Sequence, residues 1–145
     1  MSEAFAVALL GLDIGTTACK LVAYDTDGTQ LAQARQEYPL ESPQKGWAEL
    51  DPDTVFDAVR RVLSHVAPQV QAYSSVALAI SAQGEAFVPV DAEGRALMRA
   101  PVSVDARGQE AAVQLRQAFG DEEIAALTGH RLTHWSTLSK LLWMR

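Results

Sequence analysis

Short apolar runs separated by turn residues fill the start of the chain. Residues 6–12 are nearly all apolar, too few for a stable helix, and have glycine on their C-terminal side, which predicts a buried strand. Residues 19–24, rich in Val, Leu and Tyr, predict a second strand. Asp25-Thr26-Asp27-Gly28 between them and the next run is a turn. Residues 30–38 form a third, more polar strand, placed nearer a sheet edge, and the three together predict an antiparallel meander. A loop over 39–50 contains Gly46-Trp47. The period then changes: Val55, Phe56, Val59, Val62, Leu63 and Val66 recur at helical spacing. Asp51 is placed to cap that helix, Pro52 opens it, Asp53 suits its positive end, and Pro68 is expected to stop it.

Further short apolar runs predict strands at 76–80, ending in Ser81-Ala82-Gln83, at 87–90, closed by the turn Asp91-Ala92-Glu93-Gly94, and at 101–104. Residues 107–119 read as a helix with Gly120 past its end, and Asp121 caps a short helix to Leu127, stopped by Thr128-Gly129. Ser136 is placed to cap a last helix through Leu138, Leu141 and Leu142. Strands, a helix, more strands and then helices define an α/β domain with a mixed β-sheet and flanking helices. No repeat, low-complexity segment or linker divides residues 1–145.

With 145 residues the chain is long enough to bury roughly 70% of the surface its unfolded form exposes. A net charge of −6 argues against a nucleic-acid footprint or a polybasic membrane surface, though not against a small anionic ligand. Cys19 is the only cysteine, so no internal disulfide forms and a reducing compartment is expected. The start M-S-E-A-F-A-V-A-L-L-G-L-D has no basic n-region, and no apolar run approaches a membrane span, so the expectation is a soluble cytoplasmic protein.

The candidate chemistry lies where the first strand ends. Asp13 is followed by Gly15, Thr16 and Thr17, with Lys20 shortly after. An unpaired carboxylate closing a buried strand is costly unless something cationic sits beside it. Glycine permits close approach to the backbone. The turn's N–H groups and the two hydroxyls suit a phosphate chain, as a nest does. Asp13 would then face a magnesium ion, directly or through water, and Lys20 adds positive charge. The same residues also suit a plain strand–turn–strand in which the threonines serve β propensity, and both readings stand on these residues alone. The usual phosphate motifs, G-x-x-x-x-G-K-[ST] and G-x-G-x-x-G, are absent. Cys19, His65, His130 and His134 have no partners at metal-ligand spacing.

The strand–D-I-G-T-T–strand–turn–strand opening resembles the first phosphate motif of the actin, heat-shock chaperone and sugar-kinase ATPases. Four further segments narrow the resemblance to the FGGY family of carbohydrate kinases: G-W-A-E-L-D-P at 46–52, S-A-Q at 81–83, V-D-A-R at 104–107, and the T-G…L-S-K-L-L-W-M-R ending. It spans essentially the whole chain. It implies a ribonuclease H-like, actin-like ATPase domain and transfer of the ATP γ-phosphoryl group to a sugar or polyol hydroxyl, with ATP and Mg2+ as cofactors. By resemblance Asp13 binds the metal, and Gly15, Thr16, Thr17 and Lys20 lie along the phosphates. Ser81 and Gln83 match a segment that faces the sugar. Glu85 matches an acidic residue that bonds a substrate hydroxyl in glycerol kinases; alternatively it is a solvated loop carboxylate.

The chain departs from xylulokinases at that point, reading Q-G-E-A where they carry Q-M-H-G. In the family's W-x-D-x-R segment Ser103 replaces the Trp, while Asp105 and Arg107 remain, either to contact substrate or as an ion pair fixing a helix start. The Gly46-Trp47 loop, Trp135 and Trp143 are expected to pack. Pentuloses, gluconate and glycerol-like polyols all remain open as substrates: Y-P-L, G-W-A-E and L-S-K-L lean toward xylulokinases and gluconokinases, Glu85 toward a polyol. The family's catalytic aspartate, second phosphate motif and adenosine segment lie beyond residue 145. The resemblance therefore implies an N-terminal domain, inactive by itself. Its last helix and one sheet face would expose apolar surface, inviting self-association or a homodimer. Two other readings are an actin-like structural ATPase domain and a non-catalytic sugar-binding remnant.

Overall fold

The computed structural model describes residues 6–145. The elements run β1 (Val7–Ile14), β2 (Ala18–Tyr24), β3 (Gln30–Glu37), β4 (Glu49–Leu50), α1 (Pro52–Val70), β5 (Ser75–Ala82), β6 (Ala100–Pro101), α2 (Gln109–Phe119), α3 (Asp121–Thr128) and α4 (Thr137–Trp143). They divide into two compact units. One is the segment up to Pro39 with Asp53–Gln83; the other is Leu40–Pro52 with Gly84–Arg145.

The first unit holds a sheet of order β3-β2-β1-β5. β1, β2 and β3 pair antiparallel as the meander predicts, and β5 runs parallel to β1 after the α1 connection, so the sheet is mixed. β1 is not buried on both faces, as its apolar run had suggested. Ala8, Leu10 and Leu12 are buried while Leu9, Gly11 and Asp13 are exposed, because successive side chains alternate across the pleat. Leu21 and Ala23 of β2 and Ala32 of β3 continue the buried face. Ala58, Val62, Val66 and Val70 form the buried stripe of α1. Val62 lines one groove with Ala34 of β3. Each fully buried Leu or Val contributes about 1.5–3 kcal/mol.

Pro68 lies inside α1 rather than ending it. It removes one hydrogen bond near the C-terminus, and the burial of Val70, one turn beyond Val66, offsets that loss.

The second unit has little regular strand. The loop expected over 39–50 closes in β4, which pairs antiparallel with β6 over two residues each, and the strand expected at 101–104 is reduced to that ladder. The strand expected at 87–90 does not form; Val90 makes one bridge, to Ala96. Pro89 has no N–H to give a ladder, and Asp91 Oδ1 accepts the N–H groups of Glu93 at 3.0 Å and Arg95 at 2.8 Å, which curls the chain immediately afterwards. The 91–94 turn is present, and repeats the Asp25 turn, whose Oδ1 takes the N–H groups of Asp27 and Thr29.

α4 inverts the expectation drawn from its leucines. Ser139 and Lys140 are fully buried, whereas Leu138 is 52% and Leu141 48% exposed. Gly108, just before α2, explains part of this close packing. A Cβ there would lie 3.0 Å from the His134 carbonyl, 3.1 Å from Ser139 Cβ and 3.2 Å from the Lys140 nitrogen. Gly108→Ala is expected to destabilise the chain by about 1–3 kcal/mol through overpacking, measured as a lower urea midpoint with an unchanged m-value.

Candidate functional site

Two constellations carry the sequence-predicted site residues, one in each unit. In the first, strand register gathers Asp13. Across β1 it faces Lys20 of β2 on one side and Ser81 of β5 on the other, and Lys20 in turn faces Arg35 of β3. Residues paired this way share a sheet face, so Arg35, Lys20, Asp13 and Ser81 form one exposed polar row. The exposure of Asp13 removes the burial cost that its position at a strand end had suggested.

The turn from β1 to β2 is fixed through its carbonyl groups. Gly15 N–H donates to the Ala18 carbonyl at 3.0 Å. The Gly15 carbonyl accepts the Tyr38 hydroxyl at 2.6 Å and Gln83 Nε2 at 3.5 Å. The Thr17 carbonyl accepts Tyr38 N–H at 3.2 Å, and the Ile14 carbonyl accepts Gln83 N–H at 3.1 Å. Thr16 Oγ1 donates to Gln83 Oε1 at 3.4 Å. A side chain at Gly15 would put its Cβ 3.2 Å from the Ala18 carbonyl. Among the described residues the N–H groups of Thr16 and Thr17 meet no acceptor, so the donor side of the turn is left open.

Tyr38 is buried, and its pKa is pushed up to about 12, first by burial and then by Cys19 and Asp13. The phenol therefore keeps its proton and its bond to Gly15 at neutral pH. The Cys19 thiol behind the turn is likewise raised, by burial first and then by Asp13.

In the second unit Glu85 is the one described non-glycine residue with positive φ, at 63°. Its carboxylate accepts the N–H and the hydroxyl of Thr137, the latter at 2.7 Å. Those two bonds place it as the cap of α4. Ser136 occupies the N-cap position without making a side-chain cap bond. The Thr137 hydroxyl bond is the main reason the Glu85 pKa is lowered; burial opposes it, and the Thr137 N–H, Lys140 and His130 support it. The Lys140 ammonium, fully buried, donates to the carbonyls of Glu85 at 3.0 Å and Val102 at 2.9 Å. Burial lowers its pKa, and Asp105 and Glu85 work the other way.

Asp105 and Arg107 sit in a saturated cluster. Asp105 Oδ1 accepts Arg107 N–H at 2.9 Å and Nε at 2.8 Å; Oδ2 accepts Ala48 N–H at 2.7 Å and an Arg107 terminal nitrogen at 2.8 Å. That terminal nitrogen also reaches Glu49 at 2.6 Å. The guanidinium lies 3.9 Å from the Trp47 ring centroid and 5.1 Å from that of Trp143, and the two rings meet edge to face. Arg99 joins Glu41 at 2.7 Å on the outer side. Both Asp105 oxygens are therefore engaged within the protein.

Sequence reasoning missed Tyr38, Glu49, Thr137 and Lys140. A lysine between Ser139 and two leucines in a predicted helix was the one available signal.

Arg107→Met leaves the buried Asp105 without its ion-pair partner and Glu49 with only the Arg99 contact at 3.9 Å. It is expected to cost about 3–5 kcal/mol, seen in equilibrium urea unfolding. Acid adds a second check. Burial works against the Asp105 charge, but the bonds from Arg107 and Ala48 outweigh it and hold the pKa below the ordinary 3.8. A depressed carboxyl pKa gives stability that is present above 3.8 and lost as pH falls through the lower folded value. Asp105→Asn is expected to flatten the fall in melting temperature below about pH 4.

The model of the N-terminal domain of the FGGY family of carbohydrate kinases matches residues 8–145. A glycerol kinase from Aromatoleum aromaticum is 35% identical over 141 residues, covering 94% of this chain and 28% of that protein. The crystal structure of a xylulose kinase from Rhodospirillum rubrum superposes with a TM-score of 0.89 at 29% identity, covering 94% of this chain and 28% of the other. A gluconate kinase from Lactobacillus acidophilus gives 0.84 at 26%, covering 96% and 28%. The chain thus spans a little over a quarter of the length of these relatives, and its mixed sheet with flanking helices is their actin-like ATPase fold.

Proposed function

The chain belongs to the FGGY family of carbohydrate kinases, and we propose that it serves as the N-terminal, phosphate-gripping part of an ATP-dependent kinase acting on a sugar or polyol hydroxyl. The observation that carries this is the β1–β2 turn. Its carbonyls are tied down by Tyr38 and Gln83, and its Thr16 and Thr17 N–H groups are left open beside Asp13. Donors fixed before the ligand arrives need no reorganisation when phosphate oxygens meet them. The Thr17 hydroxyl adds a donor, the Thr16 hydroxyl being engaged by Gln83, and Lys20 adds positive charge in the row that holds Asp13.

The residues fit a magnesium ion of the nucleotide-bound kind. Such an ion takes one or two carboxylates and fills its remaining positions with phosphate oxygens and water. Asp13, exposed at the end of β1 beside the open turn, would be the carboxylate it uses. When bound, the metal neutralises charge developing on the transferred phosphoryl group.

On this reading Gln83 supports the phosphate turn, Ser81 extends the polar row, and Glu85 accepts a hydroxyl of the acceptor. Asp105 and Arg107 act as an ion pair that shapes the second unit, since their bonding capacity is taken up internally. The proton-accepting aspartate is supplied by the part of the enzyme after residue 145, which also covers the exposed apolar positions of β5 and α4. No described helix is long and apolar enough to cross a membrane, and the single, buried thiol suits a reducing cytoplasm.

The test is ADP release by the enzyme carrying this chain, with glycerol, xylulose and gluconate offered in turn. One of them should support turnover. Asp13→Asn should lower kcat by about 100-fold or more with an unchanged melting temperature. Near-normal kcat in that variant would reduce the motif to a structural turn.

A further inference from the structure

Glu85 occupies a backbone conformation that a residue with a Cβ rarely adopts, φ 63°. Such strain persists only where the surroundings over-determine it, and it concentrates at functional sites. Here the surroundings are one short helix. Lys140 Nζ holds the Glu85 carbonyl at 3.0 Å and is itself anchored on the Val102 carbonyl at 2.9 Å. Thr137 holds one carboxylate oxygen, Oε2, with its N–H and, at 2.7 Å, its hydroxyl. The other oxygen, Oε1, has no partner among the described residues. A buried ammonium is costly, and helix caps are ordinarily supplied by the adjacent N-cap residue. In this chain both features converge on one exposed glutamate 52 positions away from the helix start.

We propose that Thr137 is a positioning residue for the acceptor. It pins Oε2 so that Oε1 is presented to a substrate hydroxyl, while Lys140 fixes the backbone from which the carboxylate projects. The inference rests on the reading above that Glu85 accepts such a hydroxyl. It adds that the strength of this contact is set from α4. A carboxylate held at one oxygen loses little further freedom on binding, and its second oxygen keeps full capacity to accept from a sugar hydroxyl.

Three variants of the enzyme, with each substrate varied in turn, decide the matter. Glu85→Gln should raise the acceptor KM about 10- to 100-fold and leave the ATP KM in place. Thr137→Val keeps the shape and the N–H bond but drops the hydroxyl, and should raise the acceptor KM about 10-fold with kcat and ATP KM little changed. Thr137→Ser should restore it. In the 145-residue chain, carbon NMR of the Glu85 carboxyl should show its pKa moving up in Thr137→Val and back in Thr137→Ser. An unchanged acceptor KM in Glu85→Gln would remove Glu85 from the site and overturn the substrate assignment itself. A Glu85→Gln effect with no change of KM or pKa in Thr137→Val would overturn the positioning role alone. A loss of melting temperature with a lower kcat and no selective rise of the acceptor KM would make Thr137 merely structural.

Discussion

The second unit depends on a guanidinium that cannot give up its charge. Arg107 has carboxylates from both sides, Asp105 and Glu49, and an indole face against it. The fork of an arginine can satisfy both carboxylates and stack at the same time, which lysine could not. The β4–β6 ladder is two residues long on each strand, too short to hold itself together. What aligns it is the traffic of hydrogen bonds around the cluster. Ala48 N–H goes to Asp105, Val102 N–H to the Ala48 carbonyl and Ala106 N–H to the Gly46 carbonyl. Removing the charge therefore unlocks a loop, a ladder and the approach to α2 together.

The fold was legible where its physics is local. The short apolar runs of the first strands, the aspartate-led turns at 25 and 91 and the helical spacing of α1 each reflect neighbours in sequence. Legibility failed where a distant group outranked local preference. Pro68 should end a helix, but Val70 is needed in the core. Residues 87–90 look like a strand, yet the side chain of Asp91 claims the N–H groups of Glu93 and Arg95. In α4 the leucines advertise a buried face, while Lys140 takes the interior because two carbonyls await it there.

The candidate site divides in the same way. Asp13, Gly15, Thr16, Thr17 and Lys20 lie within eight positions, and a single strand register sets Lys20 opposite Asp13. Their braces come from Tyr38 and from Gln83, the latter 67 positions from Thr16. Nothing periodic announces such a contact, so the sequence names the grip and is silent on what holds it. Asp105 and Arg107 show the converse. Their spacing was equally compatible with substrate contact and with an ion pair, and the presence of Glu49 and Ala48 around them is a fact of tertiary structure.

β5 has a consequence of another kind. It is the outer strand of its sheet, and every residue of S-V-A-L-A-I-S-A is exposed, including Val76, Leu78 and Ile80. The run carries no charge, no proline and no glycine, and none of the usual devices that blunt a free edge. A segment of that kind is a template for stacking copies of itself into cross-β ribbons. The backbone groups on the side of β5 away from β1 thus make this strand a point from which fibrils would nucleate whenever that side stays bare, during synthesis above all.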